Sequence, residues 1–405
     1  MLNVQGQVRA VAHLQRALRA ERLASTWIFA GPPGVGKFTT ALALAKTKLC
    51  DKPVSKRNNG QVALLEDGFE LTLPCNVCES CRAVDAGSHP DVHVVTRQLI
   101  RYHDETGKSK GTTLSIAVIR GEITGDPKEG KEAKIYKRSF RGKGKFFIID
   151  QADLMDVPAQ NALLKTLEEP PAESYLVLVT SSPQELLSTI RSRSQVVLFS
   201  ELPDEMLLPA LIGKGLSHED AKLMARLARG SLGRAMAWAD DLRIINEKNE
   251  RAEKRRSEDD DDDTPAMTPG GPLAWARDLG GALDELVAGR ASASDVAAVL
   301  SKYAGEYARL QVARDKLTSV DRAKRDGVQL LLGFAAEWFS DRLRLGLGTP
   351  HETTLPARTA ALDHGIVPQL IMAAQRAEAT VDMNANEKIL LAAITTQWED
   401  LLLAR

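Results

Sequence analysis

The run Gly31-Pro32-Pro33-Gly34-Val35-Gly36-Lys37 constrains this chain more than any other feature. It fits G-x-x-x-x-G-K and lies between a short apolar segment, Thr26 to Ala30, and a helical stripe of Ala41, Leu42, Leu44, Ala45 and Leu49. In that setting the glycines let backbone N–H groups turn inward, the helix N-terminus adds a positive dipole, and the lysine reaches toward β and γ phosphates. A strand feeding such a loop and then a helix opens a parallel α/β domain. Further strands are predicted at 92–96, 145–150, 175–180 and 196–199, mostly as continuous apolar runs, as expected when both faces are covered. A helix over Val8 to Arg19 precedes the first strand. Another, Val157 to Leu167, stops before Pro170-Pro171.

The side chains around the loop are less complete than its backbone. The position after Lys37 ordinarily carries Ser or Thr to hold Mg²⁺, and here it is Phe38, which cannot ligate a metal. Thr39 is no simple replacement, because one helical step turns a side chain by about 100°. Phe146-Phe147-Ile148-Ile149-Asp150 reads as a buried strand ending in an acid, where open α/β sheets bind ligands. Asp150 is therefore the expected Mg²⁺-side acid. Gln151, the next residue, is a neutral amide and cannot act as a general base. Gly31, Gly34, Gly36, Lys37 and Asp150 thus form a degenerate nucleotide site. Its cradle leaves ATP binding open, and hydrolysis is not expected. The competing reading is an autonomous ATPase rescued by Thr39 or a shifted loop, with Asp153 as the substitute acid.

All four cysteines fall in one stretch, Cys50 and then Cys75-x₂-Cys78-x₂-Cys81. Four soft ligands in short-looped spacing suit a tetrahedral Zn²⁺ site, and with no open position its role is structural. An iron–sulfur cluster also uses four cysteines, and free thiols are the third reading. His89 and His93 are superfluous as ligands and read as loop or surface histidines.

Beyond the sheet the chain divides by composition. Residues 97–145 are a long polar insertion with Lys128, Lys131, Lys134, Lys137, Arg138, Arg141, Lys143 and Lys145 against Asp126, Glu129 and Glu132. One short helix is expected near Ile116 to Ile123, the rest being a solvated loop or a DNA contact. Residues 201–245 read as a small helical segment. Residues 246–271 contain Glu258, five aspartates to Asp263 and a Pro/Gly-rich run, so they read as a linker. From 272 to 405 the sequence is Ala/Leu-rich and helical. Lys plus Arg (53) nearly cancels Asp plus Glu (54), which excludes a bulk basic field for nucleic acid or anionic lipid. The chain contains no run of about 18 apolar residues and its first residues lack the charged and apolar regions of a leader, so it reads as cytoplasmic with no membrane partner.

Together the P-loop, Cys-x₂-Cys-x₂-Cys, Ser88-His89-Pro90-Asp91-Val92, Ile148-Ile149-Asp150, Asn161 to Pro171 and Thr189-Ile190-Arg191-Ser192-Arg193-Ser194 resemble bacterial DNA polymerase III clamp-loader subunits. The resemblance covers roughly residues 1–240 and continues weakly at Asn384-Ala385-Asn386. It implies an AAA+ domain with helices on both faces of the sheet over 1–200, the zinc module (50–81) and polar insertion within it, a lid over 201–245 and an oligomerising collar over 272–405. Phe38 and Gln151 place it with the delta-prime type rather than the ATP-hydrolysing gamma/tau type, which is the alternative. The resemblance further implies that Arg193 is a trans-acting finger toward ATP on a neighbouring subunit. Partners implied are gamma/tau and delta subunits, the sliding clamp and, through the complex, primed DNA. The chain would then belong to the DNA polymerase III holoenzyme, a nucleotidyltransferase complex. In motor subunits an arginine follows Gly-Ser-Leu in the lid; here Gly233 stands there, with Arg234 one step later.

Overall fold

The computed structural model describes residues 6–60, 62–103, 113–126, 130–258, 271–316, 318–347, 362–363, 365–381 and 386–404. Lys128 and Glu129 of the insertion, the aspartates 259–263 of the linker and Asn384-Ala385 lie outside the described residues. The chain divides into two compact units: residues 1–206 with 230–233, and residues 207–229 with 234–405.

The first unit is built on a parallel sheet. Its strands are β1 (Thr26–Ala30), β4 (Val92–Val95), β5 (Lys145–Ile149), β6 (Ser174–Thr180) and β7 (Gln195–Leu198), in the order β4-β5-β6-β1-β7. β2 (Val54–Arg57) and β3 (Glu70–Leu73) form a separate antiparallel hairpin. In register, Trp27 sits beside Val177 and Val177 beside Ile148. Trp27, Phe29, Phe146, Ile148, Val177 and Val179 pack with Leu14 and Leu44 into one core. Those helix residues come from α1 (Val8–Arg19) and α2 (Lys37–Leu49). The alternate residues Ile28, Phe147, Ile149, Leu176 and Leu178 point the other way and are also buried, so the central strands are covered on both faces as the continuous apolar runs require. The edge strand β7 departs from that expectation: Val197 is buried, but Val196 and Leu198 are 46% and 70% exposed. An edge strand needs cover on one face only, and the run Val-Val-Leu-Phe cannot tell which strand that is.

The hairpin leans on α1 through Gln15. Its buried side chain donates to the Thr72 carbonyl (3.0 Å) and accepts from the Thr72 N–H (2.8 Å), imitating a neighbouring strand. Val11, Ala12, Val62, Leu65 and Leu71 close a small second core there. Buried Asn58 holds the loop between β2 and β3 by donating to the carbonyls of Val62 (3.1 Å) and Leu65 (2.9 Å).

The described residues of the insertion carry more regular structure than its composition suggests. Ile116–Ile119 is helical and continues as a π-helical turn over Arg120–Thr124. Glu122 takes His103 Nε2 on one oxygen (2.8 Å) and Lys134 Nζ on the other (2.7 Å), and it is held below the usual carboxylate range by these two partners against the opposing effect of burial. His89 is buried, not a surface histidine, and His93 stacks on Phe147 at 4.6 Å. His89 does lie in a loop, but a covered one, while His93 is half-buried on β4; local sequence does not show which loop or strand face the fold will cover.

The second unit is helical. Its principal helices include His218–Leu227, Pro272–Val287, Ala293–Arg314, Val320–Gly346, Val367–Val381 and Glu387–Leu403. The helix beginning at Leu232 runs to Glu258, so the first part of the stretch read as a linker, 246–258, is helical. Charge runs such as Glu-Lys-Asn-Glu-Arg suit an exposed helix as well as a loop, and composition alone cannot separate them. Trp275, Trp338, Phe339 and Trp398 fill this unit's core. Within it, Arg342 is paired with Asp284 at 3.1 Å, both 1% exposed, and lies over the Trp338 ring at 4.4 Å. Arg226 pairs with Asp341 and Arg229 with Glu378, which ties the short helical segment after residue 207 to the later helices. No helix among the described residues is long and apolar enough to cross a membrane.

Candidate functional site

Three features meet at the C-terminal ends of the sheet strands: the glycine loop after β1, the acid after β5 and the hydroxyls after β6. They line a cleft of about 410 Å³ with Gly34, Lys37, Phe38, Asp150, Gln151 and Ser181 on its walls. Gly36, at φ 98°, turns the chain into α2, a conformation that costs a side-chain-bearing residue but not glycine. Lys37 opens the helix and is 5% exposed. Its Nζ donates to the carbonyls of Gly31 and Pro32, both at 2.5 Å. Burial lowers its pKa to about 8, opposed by the nearby Asp153 and Asp150.

Around this lysine the catalytic complement is thin. Phe38 packs partly against the sheet core. Thr39 also reaches the cleft, while Thr40 turns its hydroxyl back to the Gly36 carbonyl at 2.7 Å. Burial raises the Asp150 pKa, and one carboxylate oxygen accepts the Gln151 N–H at 3.1 Å. Gln151 itself is exposed, with left-handed backbone (φ 54°, ψ 50°). Asp153, the substitute acid, has an oxygen occupied by Thr180 Oγ1 (2.8 Å) and the Ser181 N–H (3.1 Å). Thr180 and Ser181 were not singled out by sequence reasoning; their signal is a hydroxyl run at the end of a buried strand.

Gly233 closes the cleft from the other side. Its N–H donates to the Gly34 carbonyl at 2.8 Å. A Cβ there would stand 2.9 Å from Gly34 Cα, so a side chain at this position requires the loop to shift. Arg234 is not among the cleft residues. Burial lowers its pKa, and its guanidinium lies 6.0 Å from the Trp238 ring.

The four cysteines come together from three elements. Cys50 caps α2, Cys75 follows β3, and Cys78 caps α3 (Glu79–Asp85), which contains Cys81. All four Sγ atoms lie within 4.8 Å of one another. Sγ separations of 3.5 Å (Cys50–Cys75), 3.9 Å (Cys50–Cys78) and 4.0 Å (Cys75–Cys81) approach the edge of a tetrahedron with legs of about 2.3 Å. Backbone N–H groups of Cys75, Cys78 and Cys81 each point at the sulfur of the preceding cysteine of the set. Such donors favour thiolate, and those of Val77 and Cys78 bring Cys75 to about 6, whereas burial pushes Cys50 and Cys81 up. The donor set therefore fits a bound metal dication. Buried His89 supports it from behind: Ser80 Oγ donates to the Leu49 carbonyl (2.8 Å) and sits 3.1 Å from His89 Nε2, while His89 Nδ1 accepts the Asp91 N–H.

Arg193 lies in the turn before the edge strand β7, at that strand's N-terminal end, and is not among the cleft residues. Its guanidinium pairs with Glu168 at 3.0 Å and donates to the Thr189 carbonyl at 3.1 Å, with the two side chains 38% and 53% exposed. Glu168 ends the helix Val157–Glu168 and was not foreseen as a partner.

A parallel five-stranded sheet with the glycine loop after β1 and an acid after β5, the two strands separated by β6, defines a P-loop domain of the AAA+ type. Residues 6–203 match the family described as DNA polymerase III, delta subunit. Over 221 residues the chain is 31% identical to DNA polymerase III subunit delta' of Bacillus subtilis, covering 55% of this chain and 56% of that one. It is 32% identical over 206 residues to subunit delta' of Escherichia coli, covering 51% of each. Subunit tau of Bacillus subtilis is 29% identical over 239 residues, 59% of this chain and 35% of that protein. The matches to the two delta' subunits span about half the length of those relatives. Over residues 6–203 the chain is thus similar to DNA polymerase III clamp-loader subunits, with its delta' relatives at 31% and 32% identity.

Proposed function

We propose that this chain is a non-motor subunit of a hetero-oligomeric clamp loader, joined to gamma/tau and delta subunits, that helps place a sliding clamp on primed DNA. In this reading residues 1–200 are the AAA+ domain, 201–245 a lid and 272–405 the collar through which subunits associate. The chain does not turn over ATP. The observation that carries the reading is a cleft without catalytic side chains in the same unit as an exposed edge arginine. Phe38 replaces the metal-holding hydroxyl, Gln151 replaces a base, Asp153 is engaged by Thr180, and Gly233 stands in place of a lid arginine. Arg193 then serves a neighbour: its guanidinium stabilises charge on the γ-phosphate of an ATP held by the adjacent subunit. Exposed Val196 and Leu198, on one face of β7 beside it, supply apolar surface for that neighbour. The pair with Glu168 is no obstacle, because solvent-exposed ion pairs contribute about 0–1 kcal/mol. The cysteine cluster holds one structural Zn²⁺, and a nucleotide in the cleft would rest on backbone N–H groups and Lys37 alone.

Arg193→Ala in the reconstituted loader, assayed with clamp and primed DNA, is expected to lower ATP turnover at the adjoining site by about 10³-fold or more, the usual range for such fingers. Unchanged turnover sinks the finger assignment. The chain alone should release no phosphate above background; sustained hydrolysis abolished by Lys37→Ala would establish the gamma/tau-like reading instead.

A further inference from the structure

The polar insertion ends in an eight-residue strip that the clamp-loader reading leaves without a task, Tyr136-Lys137-Arg138-Ser139-Phe140-Arg141-Gly142-Lys143. It holds four cations and two aromatic rings, and no acid occurs between residues 133 and 149. Phe140 is 80% exposed and Tyr136 49%. Hydrophobic collapse would ordinarily cover such rings, yet Phe140 is fixed in solvent by its own backbone. Asp91, 1% exposed, accepts the N–H groups of Phe140 (2.7 Å) and Arg141 (3.0 Å) on its two oxygens. Consecutive N–H groups gripping one buried carboxylate make a rigid turn. Lys143 donates to the Cys50 carbonyl at 2.6 Å, and Arg141 pairs with Glu79 at 2.8 Å, so the strip is braced against the cysteine module.

We propose that this strip binds single-stranded nucleic acid, its rings stacking on unpaired bases and its cations tracking the phosphates. Rings interleaved with cations on a rigid support are what such binding requires, since every base has a π-face and every nucleotide a charge. A protein-docking face of this size would bring aliphatic side chains, and the strip exposes none. The acids that compensate its cations are peripheral. Lys137 pairs with Glu132 and Arg141 with Glu79 at 2.8 Å, both acids 76% exposed, and Arg141 and Lys143 also face Asp51 at 3.5 and 3.7 Å. Phosphates exchange readily with partners of that kind. The near-zero net charge of the chain is no objection, because the positive field is local.

The test uses the whole purified chain and a fluorescent oligothymidylate of about 20 nucleotides, long enough for one binding site. Anisotropy at low salt should show binding that weakens with added salt. Phe140→Ala should weaken it about tenfold, the loss of one stacked base, and Arg138→Gln should reduce the log–log salt slope by about 0.7. The Phe140 ring is in water, so Phe140→Ala is expected to keep the wild-type metal content and circular dichroism, which separates lost binding from lost fold. A duplex of equal length should bind more weakly, having no free base faces. No binding by the wild type, equal affinity of Phe140→Ala, or preference for duplex overturns the proposal; so does a Phe140→Ala protein that keeps its oligonucleotide affinity but fails to join a protein partner.

Discussion

The phosphate cleft and the cysteine cluster belong to the same compact unit, and they have kept opposite halves of a site. In the cleft the backbone is intact and the side-chain set is partial: the glycine turn, the helix start, Lys37 and Asp150 remain, while Phe38 and Gln151 stand where a hydroxyl and a base are expected. At the cysteines the side chains are the site, all four sulfurs converge, and the backbone serves only to aim N–H groups at them. A cradle made of backbone persists wherever the strand–loop–helix fold persists, because the same hydrogen bonds stabilise both. A ligand cage has no such support and survives only as a complete set.

That contrast can be pressed hardest at the metal. Chelation of the purified chain, or Cys78→Ser, should release about one zinc per chain and unfold the hairpin and α3, with hydrogen exchange there rising by orders of magnitude; zinc modules draw about 10–16 kcal/mol of apparent folding energy from their ion. The parallel sheet should stay protected, since its core is separate from the small core over Val11 and Leu71. Protein with no zinc when freshly purified, or a hairpin unmoved by chelation, would remove the cluster from the comparison.

A smaller effect is expected at the cleft. Gly233→Ala drives a methyl to 2.9 Å from Gly34 and should destabilise the first unit by about 1–3 kcal/mol, read from urea denaturation. An unaffected midpoint would mean that the loop yields and is not held shut by this contact.

The smallest is a pH effect on Lys37. Its pKa is lowered in the folded chain, to about 8 from 10.5, so between these values the unfolded chain binds more protons and folding stability rises with pH. Its contribution is therefore unfavourable near pH 7 and relaxes as pH climbs through 8 toward 10.5. Melting temperatures of the wild type relative to Lys37→Met should climb over that window. A flat difference would show that the carbonyls of Gly31 and Pro32 fully compensate its burial.

Much of this site is readable along the chain. Gly31 to Lys37, Phe38, Asp150 and Gln151 are adjacent in sequence to strands and a helix whose hydrophobic runs are plain, and the cysteines announce themselves by spacing. The features that were not legible are those in which one partner is remote. Gly233 meets Gly34 some two hundred positions away, Asp91 grips Phe140 from the turn before β4, and Glu168 reaches Arg193 across a helix end. None of these pairs carries a local pattern. The exposure of Val196 and Leu198 escaped for a related reason, since an apolar run does not state whether its strand is central or at an edge. The helix through residues 246–258 escaped because a charged run gives composition without periodicity.

By itself the sequence determined which residue types stand at the phosphate loop, that four thiols lie within short-loop reach of one another, and that strands and helices alternate. These follow from nearest-neighbour sterics and from periodicities of two and 3.6 residues, which act within a few positions. Only the tertiary structure decided that Lys37 is turned onto the loop's own carbonyls, that a glycine seals the cleft, and that an aromatic ring is held in water by a buried aspartate. Those outcomes depend on which surfaces the sheet brings together and which groups it strips of solvent. Both are properties of the packed chain rather than of any segment of it.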